Sequence, residues 1–371
     1  MTSSSSPATA LHILHFNDAY ELESSKADAK NPALPVGGAS RFGSLVDAFR
    51  ADASARGADA VVFSSGDHFS PSLLSVITRG RHMVPILREL RVAAVCVGNH
   101  ELDVGVAQAA DLMAQCEFPW LLSNLRNRVT GQPLCNARES AIIEAGPWRI
   151  GVLGVVEDAW VDTLATVSPA DLLFDDPLST TLRIAAELRA RGAHIVVALT
   201  HMRLVNDNAY RDALAVAEAQ AGGGRVVDLI LGGHDHEVSH VFKDDGPPIA
   251  KSGCDFRQVT RIVCSPPSAP AYVPSRLALL PSVPLTFVGA LNADASAKFS
   301  FFAELANVTA DIPLHEELRK IVAGFSNMIE SKMKKVLGIS NVALDCRFSS
   351  VRSRETNSAR YRRRGYHAHT K

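Results

Sequence analysis

Short apolar runs, separated by polar turns and amphipathic stretches, recur along most of the chain. Runs rich in aliphatic and β-branched residues predict strands at 11–16, 60–65, 92–97, 120–122, 148–156 and 195–199. Helical periodicity predicts helices at 41–56, at 73–90 with a break near Pro85, and around 182–188. This repeated strand, turn and helix is typical of an α/β fold whose sheet is largely buried under helices.

A further apolar run begins at Asp228, ends in two glycines and is followed by His234 and His236. Alternate side chains share one face of an extended backbone. Neutral imidazoles are good ligands for borderline divalent ions. A polar turn after a buried strand would also explain this pair, so the metal hypothesis depends on matching ligands elsewhere.

Polar residues just past the ends of apolar strands supply that match. They are Asp18, Asp67, Asn99, His201, His234 and His236. Sites in α/β folds form at such strand ends. These oxygen and imidazole donors include no thiolate, which favours two divalent ions over a structural zinc. Asp67 is the natural bridge, because one carboxylate can neutralise part of both charges. Two ions about 3.5 Å apart can clamp a phosphoryl group and generate hydroxide near neutral pH.

Composition limits the class of protein. At 371 residues, 47% hydrophobic and 21% charged, the chain can build one large α/β domain and a smaller unit. Its 38 basic and 39 acidic residues give a net charge of -1, so no overall field recruits nucleic acid or an anionic membrane. The six cysteines form no C-x-x-C pair, which argues against a zinc knuckle or a disulfide scaffold.

The terminal segments have their own patterns. Residues 1–10 are of low complexity and 359–371 are basic without apolar periodicity, and both predict disorder. Neither a secretory signal nor an apolar run of about 18 residues is found, so we expect a cytoplasmic protein without a membrane partner. Residues 266–284, rich in Pro, Ser and Ala, predict a surface excursion, and 316–336 predict an amphipathic linker helix.

The ordered set of motifs resembles the calcineurin-like metallophosphoesterases and, within them, the 5'-nucleotidases. The motifs are Asn17-Asp18, Gly66-Asp67, Gly98-Asn99-His100-Glu101, Thr200-His201 and Gly233-His234-Asp235-His236, followed by Lys251-Ser252-Gly253 and Asp255-Phe256-Arg257. The resemblance covers roughly residues 11–358 and implies a four-layer α-β-β-α sandwich over 11–290. It also implies a linker with a helix over 291–338 and, over 339–358, the start of an incomplete C-terminal domain.

The same resemblance implies a role for each site residue. Asp18, Asp67 and His236 would hold one ion, and Asp67, Asn99, His201 and His234 the other. His100 would stabilise developing charge or protonate the leaving oxygen, with Asp103 orienting it and raising its pKa. Asn124 is a candidate substrate ligand, although a structural role is also open to it. The ions would be Zn, Mn, Fe or Co.

The sequence departs from the family at two places. The first family motif is Asp-x-His, but this chain has Asp18-Ala19-Tyr20. A phenol is a poor ligand for zinc or manganese, although phenolate binds ferric iron. In the C-terminal segment, Arg347 and Arg352 are candidate substrate ligands, but the expected domain does not follow, so we expect a truncated C-terminal domain and uncertain nucleotide specificity.

The leading functional hypothesis is a metal-dependent phosphomonoesterase of 5'-nucleotidase type, acting on a nucleotide or another small phosphate ester. A phosphatase for sugar phosphates is an alternative. A second class is a catalytically weakened protein that binds phosphate-bearing ligands or a partner. A nuclease is disfavoured by the near-zero net charge. The oligomeric state is not predicted by the sequence.

Overall fold

The computed structural model describes residues 7–26, 31, 34–164, 166–270, 272–274, 276–291, 298–333, 345 and 356. The chain divides into two compact units, Met1–Ser326 and Asn327–Lys371. In the second unit, the described residues 327–333 are helical. The predicted C-terminal domain segment at 339–358, apart from Asp345 and Thr356, and the predicted tail at 359–371 lie outside the described residues.

Strands and helices alternate through the first unit. In chain order the strands are β1 (Leu11–Phe16), β2 (Asp59–Ser64), β3 (Ala94–Cys96), β4 (Trp120–Leu121), β5 (Leu125–Asn127), β6 (Ser140–Ala145), β7 (Trp148–Val156), β8 (Leu172–Phe174), β9 (Ile195–His201), β10 (Leu229–Gly232), β11 (Val238–Val241), β12 (Ile249–Ser252), β13 (Gln258–Ser265), β14 (Leu285–Leu291) and β15 (Ser300–Asn307). The α-helices are α1 (Ala39–Ala55), α2 (Leu73–Thr78), α3 (Met83–Glu89), α4 (Val106–Ala114), α5 (Pro177–Ala190), α6 (Leu204–Gln220) and α7 (Glu316–Met333).

Two mixed sheets form the centre of this unit. The first has the order β14-β15-β13-β1-β2-β3-β4, and the second has the order β11-β12-β10-β9-β7-β6. Strands β1 to β4 are parallel, as are β7, β9, β10 and β12. The antiparallel pairs are formed by β13, β14 and β15 in the first sheet and by β6 and β11 in the second. The sheets face each other, because β3 contacts β7 and β9 and β1 contacts β12. Their parallel strands are apolar and almost wholly buried, as a sheet covered on both faces requires.

Helices cover the outer faces of the two sheets. Helix α1 packs on β1 and β2 through a buried stripe that includes Phe42, Leu45 and Phe49. Helix α5 packs on the second sheet and contacts α6, and both contribute to one apolar cluster through Ile184 and Leu214. The predicted four-layer α-β-β-α sandwich is therefore confirmed.

Three local predictions need correction. The helix predicted at 73–90 is two helices, and the break lies not at Pro85 but at Arg79 and Gly80, which both have positive φ. Pro85 lies in the first turn of α3, where a missing N–H costs nothing. His201 is the last residue of β9 rather than the first residue past it. The domain boundary predicted at residue 290 lies within β14, and β15 beyond it pairs with β13, so the sheet continues past that boundary.

Cys96, Cys116, Cys135, Cys254 and Cys264, the cysteines among the described residues, are all free thiols. In the described part of the chain, no helix combines the length and apolarity needed to cross a bilayer. Among the described residues, the fold is therefore held by the packing of the two sheets and their helices rather than by disulfide bonds.

Candidate metal centre

Six candidate ligands lie at the carboxyl ends of five strands. Asp18 follows β1, Asp67 follows β2, Asn99 follows β3, His201 ends β9, and His234 and His236 follow β10. Strands β1, β2 and β3 are parallel in one sheet, and β9 and β10 are parallel in the other. Because the sheets face each other, these ends meet at one rim, as is usual for sites in α/β folds.

The backbone at this rim is strained. Asp18, Asp67, His234 and His236 have φ values of 52°, 60°, 82° and 59°, in the left-handed region that residues with a Cβ seldom adopt. Such strain persists where the surrounding structure fixes it, and it clusters at functional sites. Gly98 follows β3 and lets the end of that strand approach Asp67. A Cβ at this position would lie 2.1 Å from Asp67 Oδ1.

Position A is formed by Asp67, Asn99, His201 and His234. His201 Nε2 lies 3.1 Å from Asp67 Oδ2, and His234 Nδ1 lies 3.3 Å from His201 Nε2 and 3.1 Å from Asn99 Oδ1. One ligand atom each from Asp67, His201 and His234 falls within a common 4.8 Å. His201 and Asp67 are buried, and His201 Nδ1 is held by the Ser65 carbonyl, which directs Nε2 into the group.

The charges at position A match those of a cation site. Burial acts to lower the pKa of His201, but the Asp67 carboxylate outweighs burial and raises that pKa to about 10. Burial also acts to raise the pKa of Asp67, yet His201 and His100 hold it below its usual range. The buried carboxylate therefore requires a positive partner, which is a proton on His201 or a metal ion that displaces it. Two imidazoles, a carboxylate and an amide oxygen fit a borderline divalent ion.

Position B is formed by Asp18, Asp67 and His236, and it shares Asp67 with position A. One ligand atom from each residue lies within a common 4.8 Å, and His236 Nε2 is 3.4 Å from Asp18 Oδ1. The Tyr20 hydroxyl lies among these atoms. Its oxygen is 3.1 Å from Asp18 Oδ1, 3.0 Å from Asp67 Oδ2 and 2.8 Å from His236 Nε2. Burial, together with the charges of Asp67 and Asp18, raises the pKa of Tyr20, so the phenol is neutral.

His100 and Asp103 form a dyad beside both positions. His100 Nδ1 is 2.7 Å from Asp103 Oδ2, and the His100 backbone N–H donates to Asp67 Oδ1 at 2.9 Å. Burial acts to lower the pKa of His100, but the hydrogen bond to Asp103 and the charges of Asp67 and Asp103 together raise it. A protonated imidazole with Nδ1 engaged by Asp103 keeps Nε2 for a reacting group.

Glu101 holds the loops that carry the ligands, a role the sequence analysis did not assign. Its side chain is fully buried, and its two oxygens accept four backbone N–H groups. Oε2 accepts from Asp67 and Gly98, and Oε1 accepts from His68 and Phe69. The available signal was its position within the motif that also contains Asn99 and His100.

Lys251 performs a similar task at the second sheet. Its buried Nζ donates to the carbonyls of Met202 and Gly233, at 2.7 Å each, and pairs with Asp207 at 2.8 Å and Asp235 at 2.6 Å. Met202 follows His201 and Gly233 precedes His234. One ammonium group thereby fixes the spacing of two candidate ligands.

Asn124 makes hydrogen bonds to the backbone rather than to the residues of positions A and B. The Asn124 amide donates to the Val156 carbonyl at 2.8 Å and accepts from the Val156 N–H at 2.9 Å, which favours the structural role left open for it. Asn124 also lines a cavity of about 560 Å³ together with Glu157 and Met202. Glu157 Oε1 is 3.6 Å from His234 Nε2, so this cavity adjoins position A. Arg347 and Arg352 lie outside the described residues.

Comparison with known proteins places this site in a family. The family model for calcineurin-like phosphoesterases matches residues 11–238, which contain all six candidate ligands. The chain belongs to this family. Within it, mouse 5'-nucleotidase is 26% identical over 252 residues, covering 66% of this chain and 40% of the mouse protein. A probable 5'-nucleotidase of Treponema pallidum is 25% identical over 271 residues, covering 71% of this chain and 42% of that protein.

Solved structures of other proteins share the fold. A 5'-nucleotidase precursor from Thermus thermophilus superposes with a TM-score of 0.65 at 20% identity, covering 94% of this chain and 64% of that one. A calcineurin-like phosphoesterase from Bacillus subtilis gives 0.63 at 14% identity, covering 88% and 99%. The chain spans about two fifths of the length of the curated relatives it matches.

Proposed function

We propose that this calcineurin-like protein is a metal-dependent phosphomonoester hydrolase of 5'-nucleotidase type. The observation that carries the proposal is position A, where Asp67, Asn99, His201 and His234 converge beside the His100-Asp103 dyad. A divalent ion held there would polarise a phosphate oxygen and make water acidic enough to supply a nucleophile near neutral pH. The buried members Asp67, Asn99 and His201 have no comparable use in packing, because uncompensated polar groups and charges are costly there.

His100 has the chemistry of a general acid in this reaction. Breaking the ester bond places negative charge on the leaving oxygen, and the imidazolium proton can neutralise that charge. Asp103 is a positioning residue, because its carboxylate at Nδ1 favours the protonated ring and directs Nε2 away from itself. The chain would thus supply an ion site that binds the phosphate and an imidazolium that protonates the leaving oxygen.

The substrate we propose is a nucleoside monophosphate, since several curated relatives are named 5'-nucleotidases. The cavity beside position A has room for a leaving group and is lined by apolar Phe174 and Leu178 as well as by Glu157 and Asp175. Its carboxylates disfavour a polyanion, which speaks against a nucleic-acid substrate. A sugar phosphate is the competing small phosphomonoester.

The proposal predicts turnover that depends on added metal. Chelator-treated protein should hydrolyse p-nitrophenyl phosphate and AMP after addition of Mn²⁺, Zn²⁺ or Co²⁺, and lose that activity on renewed chelation. Released phosphate should be compared for AMP, glucose 6-phosphate and a single-stranded DNA oligomer. Faster turnover of glucose 6-phosphate than of AMP would favour the sugar-phosphate alternative. Absence of turnover with every metal and ester would leave only a binding function.

A second prediction tests the acid role of His100. The substitution His100→Ala should lower kcat for AMP by roughly 10²- to 10⁴-fold, because an alkoxide leaves poorly without a proton. The loss should be much smaller for p-nitrophenyl phosphate, whose phenolate leaves readily unprotonated. Asp103→Asn should show the same pattern to a lesser degree. Equal losses for the two substrates would contradict proton donation and indicate that His100 only shapes the site.

A further inference from the structure

The Tyr20 hydroxyl is the feature that distinguishes position B from position A. A single oxygen atom lies within hydrogen-bond distance of all three candidate ligands of position B, Asp18, Asp67 and His236. At position A, by contrast, the ligand atoms of Asn99, His201 and His234 contact one another directly. The same rim therefore contains one group whose ligand atoms face one another and one group whose ligand atoms surround a hydroxyl of the chain itself.

The phenol is held in this place from several directions. Tyr20 is only 7% exposed, and its ring packs edge-on against His100 at 5.9 Å and tilted against His236 at 5.2 Å. The backbone N–H groups of Tyr20 and Glu21 both donate to Asp255 Oδ1 at 3.2 Å. Rotating the side chain to move the hydroxyl away would break the two ring contacts and uncover a buried ring.

The chemistry of the hydroxyl suits a hydrogen-bonding bridge. It can donate its proton to either the Asp18 or the Asp67 carboxylate and accept a hydrogen bond from His236 Nε2. Zinc ligands lie about 2.0–2.3 Å from the ion and are thiolates, imidazoles or carboxylates, a set that does not include a tyrosine hydroxyl. The phenol satisfies the atoms that an ion at position B would have to coordinate, so the residues there do not fit a second ion.

We propose that this chain binds one divalent ion, at position A, and that the Tyr20 hydroxyl takes the place of the second ion at position B. Asp18 then acts as a positioning residue. Asp18 Oδ2 accepts the His234 backbone N–H at 2.8 Å and so orients a ligand of position A. The proposal rests on the proposed function only in assuming that position A binds metal.

The number of ions bound per chain can be measured directly, without any assay of turnover. After equilibration with Mn²⁺ or Zn²⁺ and removal of free metal, the wild-type chain should retain about one ion by mass spectrometry. Tyr20→His exchanges the phenol for an imidazole and should raise the content to about two ions. His201→Ala should remove the single ion, whereas His236→Ala should leave the content at about one.

The pair His201→Ala and His236→Ala keeps the test decisive if Tyr20→His does not fold, which circular dichroism would show. Two ions in the wild-type protein, or loss of the ion in His236→Ala, would overturn the proposal. So would a visible charge-transfer band in iron-loaded protein that disappears in Tyr20→Phe, because that band reports phenolate bound to ferric iron. One retained ion without phosphatase activity would refute the proposed function while supporting the single-ion site.

Discussion

Asp67→Asn is expected to abolish metal retention and to lower metal-dependent turnover by roughly 10³-fold or more. Asp67 is the one carboxylate in position A, and its Oδ2 lies 3.1 Å from His201 Nε2. Asparagine keeps the size of the side chain and an oxygen for the His100 N–H, but it removes the negative charge. The change therefore removes the electrostatic basis of the site while leaving its packing nearly intact.

The matched control for Asp67→Asn is Asp111→Asn, the same chemical change at an exposed position of α4. The control should retain wild-type metal content and kcat. Both variants should show wild-type circular dichroism, which would establish that the fold is retained. An Asp67→Asn protein that binds metal and turns over like the control would contradict the assignment of Asp67 as a ligand.

Glu101→Gln is expected to destabilise the fold by about 2–4 kcal/mol, a large effect for a change of nearly equal volume. Both carboxylate oxygens of Glu101 accept two backbone N–H groups. A glutamine has one acceptor oxygen, so its amide nitrogen must face two N–H donors whichever way it turns. The loops of Asp67 and Gly98 would lose their anchor, and metal affinity should fall with stability.

Urea unfolding followed by circular dichroism measures the stability change. Glu117→Gln is the control, because its carboxylate is 82% exposed and pairs with Arg88 at the surface. Exposed pairs of this kind contribute little, so the control should unfold at the wild-type midpoint. Equal urea midpoints for Glu101→Gln and the control would contradict the claim that the buried carboxylate anchors the loops of Asp67 and Gly98.

The fold and the set of candidate ligands could be predicted because each rests on a local signal. Buried parallel strands such as β7 are continuous apolar runs, and polar residues at their ends are conspicuous. His234 and His236 could be singled out for that reason. The location of the six ligands at one rim follows from parallel pairing within two facing sheets.

Other features depend on contacts distant in sequence and have no local signal. The strands β14 and β15 pair with each other and with β13 beyond a Pro-rich stretch, so the predicted boundary at residue 290 cuts the first sheet. The break between α2 and α3 occurs at Gly80, where a Cβ would meet Leu112 and Phe69. Periodicity cannot reveal such close approaches between separate elements.

Tyr20 shows most clearly what sequence can and cannot provide. Its place in the Asp18-Ala19-Tyr20 motif signalled a departure from the family, but not the consequence. Only the three-dimensional arrangement shows one hydroxyl in contact with Asp18, Asp67 and His236, residues separated by up to 218 positions. The effect of having tyrosine at position 20 on metal binding can therefore be inferred only from the folded arrangement of these residues.

The central claim is that residues from four strand ends form one metal-binding site around Asp67. Anomalous diffraction from Mn²⁺-soaked crystals, recorded near the manganese edge, tests it most directly. The account predicts one strong peak in contact with Asp67, Asn99, His201 and His234. A protein without a peak at this group, or with its principal peak elsewhere, would contradict the claim.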